Sequence, residues 1–130
     1  MPALNVQADL RARLEKSLGV PAYVNVPEER PAAFVVVKRN GGHRLNALQD
    51  RPGVDVYSYA PTEAKAADLA SRVSDLMLAL PRVAFLAGYE TCDEETVRTD
   101  PDTDAGTPRW YASYTLTTHK RKQTDRSQNG

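Results

Sequence analysis

The sequence predicts an α+β domain: a mostly antiparallel sheet of about five strands with two helices packed on one face, in the order α-β-β-β-α-β-β. Three observations carry this. Gly53 to Leu80 reads as a strand feeding a long amphipathic helix. Phe34-Val35-Val36-Val37 is a continuous apolar, mostly β-branched run, the pattern of a central strand covered on both faces. Arg109 to Thr118 alternates strictly, with Trp110, Ala112, Tyr114 and Leu116 on one face and Tyr111, Ser113, Thr115 and Thr117 on the other.

The first helix is expected over residues 4 to 18. Leu10, Leu14 and Leu18 repeat at four, and Val6 and Ala3 continue the stripe upstream. Gly19 stands where a helix ends in the left-handed conformation, and Pro21 prevents resumption. Ala22 to Val26 reads as a short strand ended by Pro27. A charged loop, Pro27 to Pro31, leads into the strand Ala33 to Arg39. Asn40-Gly41-Gly42-His43 then reads as a turn, because glycine takes positive φ without steric cost. The connection from Lys38 to Arg51 is long and basic, carrying Lys38, Arg39, Arg44 and Arg51 against Asp50. Leu45, Ala47 and Leu48 lie in it without periodicity.

In the next strand Val54, Val56, Ser58 and Ala60 share one face, and Asp55, Tyr57 and Tyr59 the other. Pro61 closes it by holding Ala60 extended. Thr62 is the expected N-cap of the second helix. Ala66, Leu69, Ala70, Val73, Leu76, Met77 and Leu80 form its apolar stripe, and Pro81 is expected to stop it. Gly88 to Arg98 reads as an acidic strand with Glu90, Asp93, Glu94 and Glu95, solvated on one face. Thr99 to Pro108 is a hairpin tip. Residues 1–118 are expected to form a single domain, and 119–130 a polar, disordered tail. Trp110, Leu76 and Val36 are expected in the core.

Composition narrows the function. Lys plus Arg is 17 and Asp plus Glu is 17, so the net charge is zero, which argues against a dedicated nucleic-acid binder. The single cysteine, Cys92, forbids an intrachain disulfide. The N-terminus lacks a signal-peptide core, and no apolar run reaches membrane-spanning length. These features predict a soluble protein made in a cytoplasm, with no membrane partner.

Chemistry is weakly represented. Asp100, Asp102 and Asp104 alternate as in a calcium loop, but that loop needs Gly at its sixth position and Glu at its twelfth; Ala105 and Tyr111 stand there. A hydrophilic hairpin tip is the better reading, and no metal is expected. His43 and His119 lie in a glycine-rich loop and at the start of the polar tail, neither beside a nucleophile motif. Cys92 lies among carboxylates that blunt a thiol. Glu94 and Glu95 are adjacent, so a strand points them to opposite faces. Gly41-Gly42 lacks the spacing of a phosphate-binding loop. The expectation is a non-enzyme with no catalytic residue and no cofactor. The basic residues Lys38 to Arg51, and Lys120, Arg121, Lys122 and Arg126, read first as a solvated surface and second as a contact with DNA or an acidic neighbour. An acidic strand and a basic loop on one neutral chain also suit a head-to-tail contact between copies.

Several segments resemble a known family. Arg30-Pro31-Ala32-Ala33-Phe34-Val35-Val36-Val37-Lys38-Arg39-Asn40-Gly41-Gly42 is similar to a segment of small tail proteins of long-tailed bacteriophages. So is its pairing with Arg51-Pro52-Gly53-Val54-Asp55-Val56-Tyr57-Ser58-Tyr59 and the Ala-rich helix Glu63 to Ala70. The closing strand Trp110 to Thr117 fits as well. Together they resemble the tail terminator (tail completion, or minor tail) proteins, especially those of phages infecting actinobacteria, over most of residues 4 to 120.

The resemblance implies a structural virion protein of the tail or neck, assembled in the host bacterial cytoplasm. Its partners would be itself in a hexameric ring, the major tail tube protein and the head–tail connector, with DNA only as passing cargo. A neighbouring neck protein of the same fold is the close alternative; a nucleic-acid-binding α+β module is more distant. The surface expected at the subunit or neck interface is Lys38, Arg39, Gly41, Gly42, His43, Arg44, Arg51, Tyr57 and Tyr59, with Tyr111 and Tyr114 completing a tyrosine-rich sheet.

Overall fold

The structure, a computed structural model, describes residues 5–119. Ala3, the residues after His119 and the cations Lys120, Arg121, Lys122 and Arg126 lie outside the described residues. The element order is α1 (Val6–Leu18), β1 (Ala22–Tyr23), β2 (Phe34–Arg44), β3 (Gln49–Tyr59), α2 (Glu63–Val83), a 3₁₀ turn (Phe85–Ala87), β4 (Tyr89–Thr99) and β5 (Arg109–His119). The strands form one five-stranded sheet in the order β1-β2-β3-β5-β4. All pairs are antiparallel except β1 with β2. The expected fold class and element order are those observed.

Both helices cover one face. Asn5 caps α1 by accepting from the Ala8 N–H at 3.1 Å, and Gly19 ends it at φ 72°. Thr62 caps α2 by accepting from the Lys65 N–H at 3.2 Å. Val6, Leu10, Leu14 and Leu18 of α1 meet Leu69, Val73, Met77 and Leu80 of α2 over Val35, Val37, Val54, Val56, Ala112, Tyr114 and Leu116 of the sheet. At about 25 cal/mol per Å² of apolar surface removed from water, this cluster is the main source of stability. A smaller cluster of Phe34, Val36 and Tyr59, with Tyr23 and Tyr57 against it, forms on the helix-free face.

Several boundaries differ from expectation, each for a local reason. β1 pairs only Ala22 and Tyr23 with Val35 and Val36 and goes no further toward Val26. β2 does not turn at Asn40–His43. It passes through Gly41 (φ 127°) and Gly42 (φ 99°) with a register shift between Arg39 and Gly41, so the glycines make a bulge within a longer hairpin. A Cβ at Gly42 would lie 2.3 Å from the Arg51 carbonyl oxygen, which demands glycine there. The turn falls on Leu45–Leu48, where Asn46 Oδ1 accepts from the N–H groups of Leu48 (2.8 Å) and Gln49 (3.0 Å). What reads as a long basic loop is therefore a continuous two-stranded ribbon.

Phe34 to Val37 are all buried, yet β3, not β2, is the central strand. The aromatic cluster on the helix-free face supplies the second cover. α2 runs through Pro81 to Val83. Proline within the last turn removes one backbone donor only, and the Ala84 N–H still reaches the Leu80 carbonyl at 2.8 Å. Leu76 and Trp110 are half-buried where full burial was expected, while Val36 is buried. Met77 takes the central position of α2, and Trp110 pairs with Thr99 at the end of β4, where the sheet stops. β4 is exposed along nearly its whole length rather than on one face. His119, expected in the tail, ends β5 with Nδ1 2.9 Å from Glu90.

Candidate assembly interface

Strand pairing leaves two long outer edges. β1 covers β2 only at Val35 and Val36, so beyond Val36 the outer edge of β2 has no strand partner among the described residues. Residues 38–48 are all exposed. This edge carries Lys38, Arg39, His43 and Arg44 and no acidic residue. β4 forms the opposite edge and carries Glu90, Asp93, Glu94 and Glu95, with Arg98 the one cation. A neutral chain has therefore separated its charge onto two sheet edges.

The expected interface residues divide by environment. Lys38 Nζ donates to Asn25 Oδ1 at 2.6 Å. Arg39 turns back on itself, Nε to the Gly41 carbonyl at 3.0 Å, while its backbone N–H donates to Gln7 Oε1 at 2.8 Å. Arg44 lies 3.8 Å from Asp50, and its side chain is 65 % exposed, so this pair contributes little. Arg51 reaches across two strands, donating to Thr117 Oγ1 at 3.1 Å and lying 3.8 Å from Asp93. Gly41, Gly42 and His43 are exposed on the ribbon.

The tyrosines are less uniform. Tyr59 is 2 % exposed, its ring stacked on Phe34 with centroids 4.3 Å apart, so it is a core residue and not an interface residue of the single chain. Tyr114 is buried on the helix face. Tyr57 and Tyr111, half-buried and 5.3 Å apart, remain on the open face. They sit in an arginine ladder: Arg109 lies over Tyr57 and Tyr59, Arg98 over Tyr111, and Arg30 over Tyr59. Asp55 accepts from Tyr111 Oη and Asn40 Nδ2, each at 2.7 Å. Burial, with Asp55 as the next cause, raises the Tyr57 and Tyr111 phenols, so both stay neutral donors.

Two of the three carboxylates of the 100–108 tip, Asp100 and Asp102, are engaged by arginines. Asp100 accepts from Arg109, and Asp102 from Arg30. The Arg30 hydrogen bond holds the Asp102 carboxyl below its ordinary range. Among the described residues no three His, Cys, Asp or Glu side chains converge as a metal site requires. Burial first, then Asp93 and Glu94, pushes the Cys92 thiol up to about 12, so burial outweighs the neighbouring carboxylates expected to dominate. No described helix is long and apolar enough to cross a membrane.

One surface escaped the sequence reading. Leu45 (45 % exposed), Leu48 (66 %), Phe85 (51 %) and Leu86 (76 %) lie at one end of the sheet. The Leu45 N–H bonds the Gln49 carbonyl, Gln49 pairs with His119, and the Phe85 ring lies 5.2 Å from that of His119. The available signal was four large apolar residues in segments that lack strand or helix periodicity.

No family model matches the chain, and no curated protein matches it. Among solved structures, a chain of the "Virion of native gene transfer agent (GTA) particle" superposes with a TM-score of 0.58 at 15 % identity, covering 90 % of this chain and 95 % of that one. At this identity the likeness shows a shared fold over nearly the full length of both chains.

Proposed function

We propose that the chain is a structural protein of a phage-like virion, acting without catalysis or cofactor as the tail terminator. In this role it forms a ring, of six copies, on the end of the tail tube, stops tube growth and presents a surface to the head-side connector. The observation that carries the reading is the near full-length fold match to a chain of a gene transfer agent virion. The segment resemblance to tail terminators in Arg30–Gly42, Arg51–Tyr59, Glu63–Ala70 and Trp110–Thr117 points the same way. Two charge-opposed edges suit head-to-tail contacts, which close into rings. The apolar end of Leu45, Leu48, Phe85 and Leu86 suits a flat protein partner such as the tube.

Deleting the gene from the particle's genome tests this. The expected result is tailless heads together with tubes of uncontrolled length, restored by the gene in trans. Full heads lacking joined tails of normal length would instead assign the chain to the neck, and normal infectious particles would sink the reading.

A further inference from the structure

The pairing registers put the two charged edges level with each other. Cα partners run across the sheet in rows: Arg39–Val54–Tyr114–Glu94, Lys38–Asp55–Ser113–Thr96 and Gly41–Gly53–Thr115–Asp93. A fourth row, Arg44–Asp50–Thr118–Tyr89, ends beside Glu90. The basic part of β2 thus spans the same height as the acidic part of β4. Side chains of directly paired residues share a face. Val54 and Tyr114 belong to the main core, so Arg39 and Glu94 both lie on the helix side, and Glu94 receives a hydrogen bond from Ser74 of α2.

Direction fits as well. Three antiparallel steps separate β2 from β4, so the two edge strands run in opposite senses. A rotation about an axis along the strands, without rise, brings β4 of one copy beside β2 of the next, antiparallel and row against row. The backbone groups of the two edges then complete each other's ladder. The single chain shows such an outward donor already engaged, the Arg39 N–H held by the Gln7 side chain, which a backbone carbonyl can replace.

We infer that copies of this chain join head to tail through their sheet edges, β4 against the next copy's β2 ribbon, with Glu94 facing Arg39. A closed ring of such junctions pairs the outer edge of β2 beyond Val36 with the facing part of β4, which removes most of the exposed-edge hazard of the single chain. The inference deepens the ring reading above and rests on it for the ring's place on a tail, but the junction is tested on the purified chain.

The test pairs cross-linking with charge exchange. In a Cys92→Ala background, Arg39→Cys/Glu94→Cys should oxidise to a ladder of oligomers. Arg39→Cys/Thr99→Cys should give several-fold less, because Thr99 lies level with Val35, four residues from Arg39 along β2; that displaces the pair by about 13 Å, and a disulfide needs Cα atoms within about 7 Å. With Cys92 intact, Arg39→Glu and Glu94→Lys should each fail to self-associate at low salt, and an equimolar mixture should regain association. Equal cross-linking by both cysteine pairs, no cross-linking at millimolar protein, or a mixture no better than its components overturns the junction. If the junction holds while gene deletion leaves tails normal, the tail reading fails alone; the converse removes the junction alone.

Discussion

Arg30 Nη1 donates to Asp102 Oδ2 at 2.8 Å, across 72 residues of sequence. This pair fastens the loop before β2 to the hairpin tip between β4 and β5. It also holds Arg30 over the Tyr59 ring, so the loop closes the small aromatic cluster on the helix-free face. Asp102→Asn should destabilise the fold at neutral pH by about 1 kcal/mol, since Arg30 stays partly solvated. The folded carboxyl titrates below its unfolded value of about 3.9. Its contribution is present above that value and is lost as pH falls through the lower, folded one. Urea midpoints of wild type and variant should differ at pH 7 and converge near pH 2.

The core of α2 centres on Met77, which is fully enclosed. Met77→Ala should cost about 2–5 kcal/mol. Leu76→Ala, at a half-buried position, should cost about 1 kcal/mol. Equal losses in chemical denaturation would mean that the helix is rotated about its axis.

Gly42→Ala should disrupt the ribbon, because its Cβ meets backbone at 2.3 Å and its φ is 99°. A cost of about 1–3 kcal/mol is expected if the ribbon holds its shape. Amide exchange should speed up from Arg39 to Arg51 while β4 and β5 keep their protection. Unchanged exchange throughout would show that the bulge is not required.

Cys92 should react slowly. With the thiol pushed up to about 12, roughly one molecule in 10⁴ is thiolate at pH 8. Disulfide-exchange reagents should label the folded chain at least a hundredfold more slowly than the denatured chain. Comparable rates would place Cys92 in solvent.

The apolar end should matter for docking and not for folding. Leu48→Asp and Leu86→Asp change exposed positions, so stability should move by no more than about 0.5 kcal/mol. Tails assembled with these variants should fail to retain the protein in particles. Normal retention would remove this end from the interface.

Local patterns determined much of the fold. The leucine repeat of α1, the stripe of α2 and the alternation in β3 and β5 depend on side-chain period alone, and they carried the element order. Caps at Gly19 and Thr62 were legible because their backbone demands are local. The sequence also showed that one stretch was basic and another acidic, but not where the sheet would put them. Only strand pairing across four strands set Arg39 level with Glu94 on opposite edges. Only packing buried Tyr59 against Phe34 and left Tyr57 on the surface two residues away on the same face. The glycine bulge hid the ribbon because a turn and a bulge use the same residues; the partner strand decides between them. Contacts between residues far apart in sequence have no local period, so neither the exposed edges nor the apolar end could be read before the sheet was assembled.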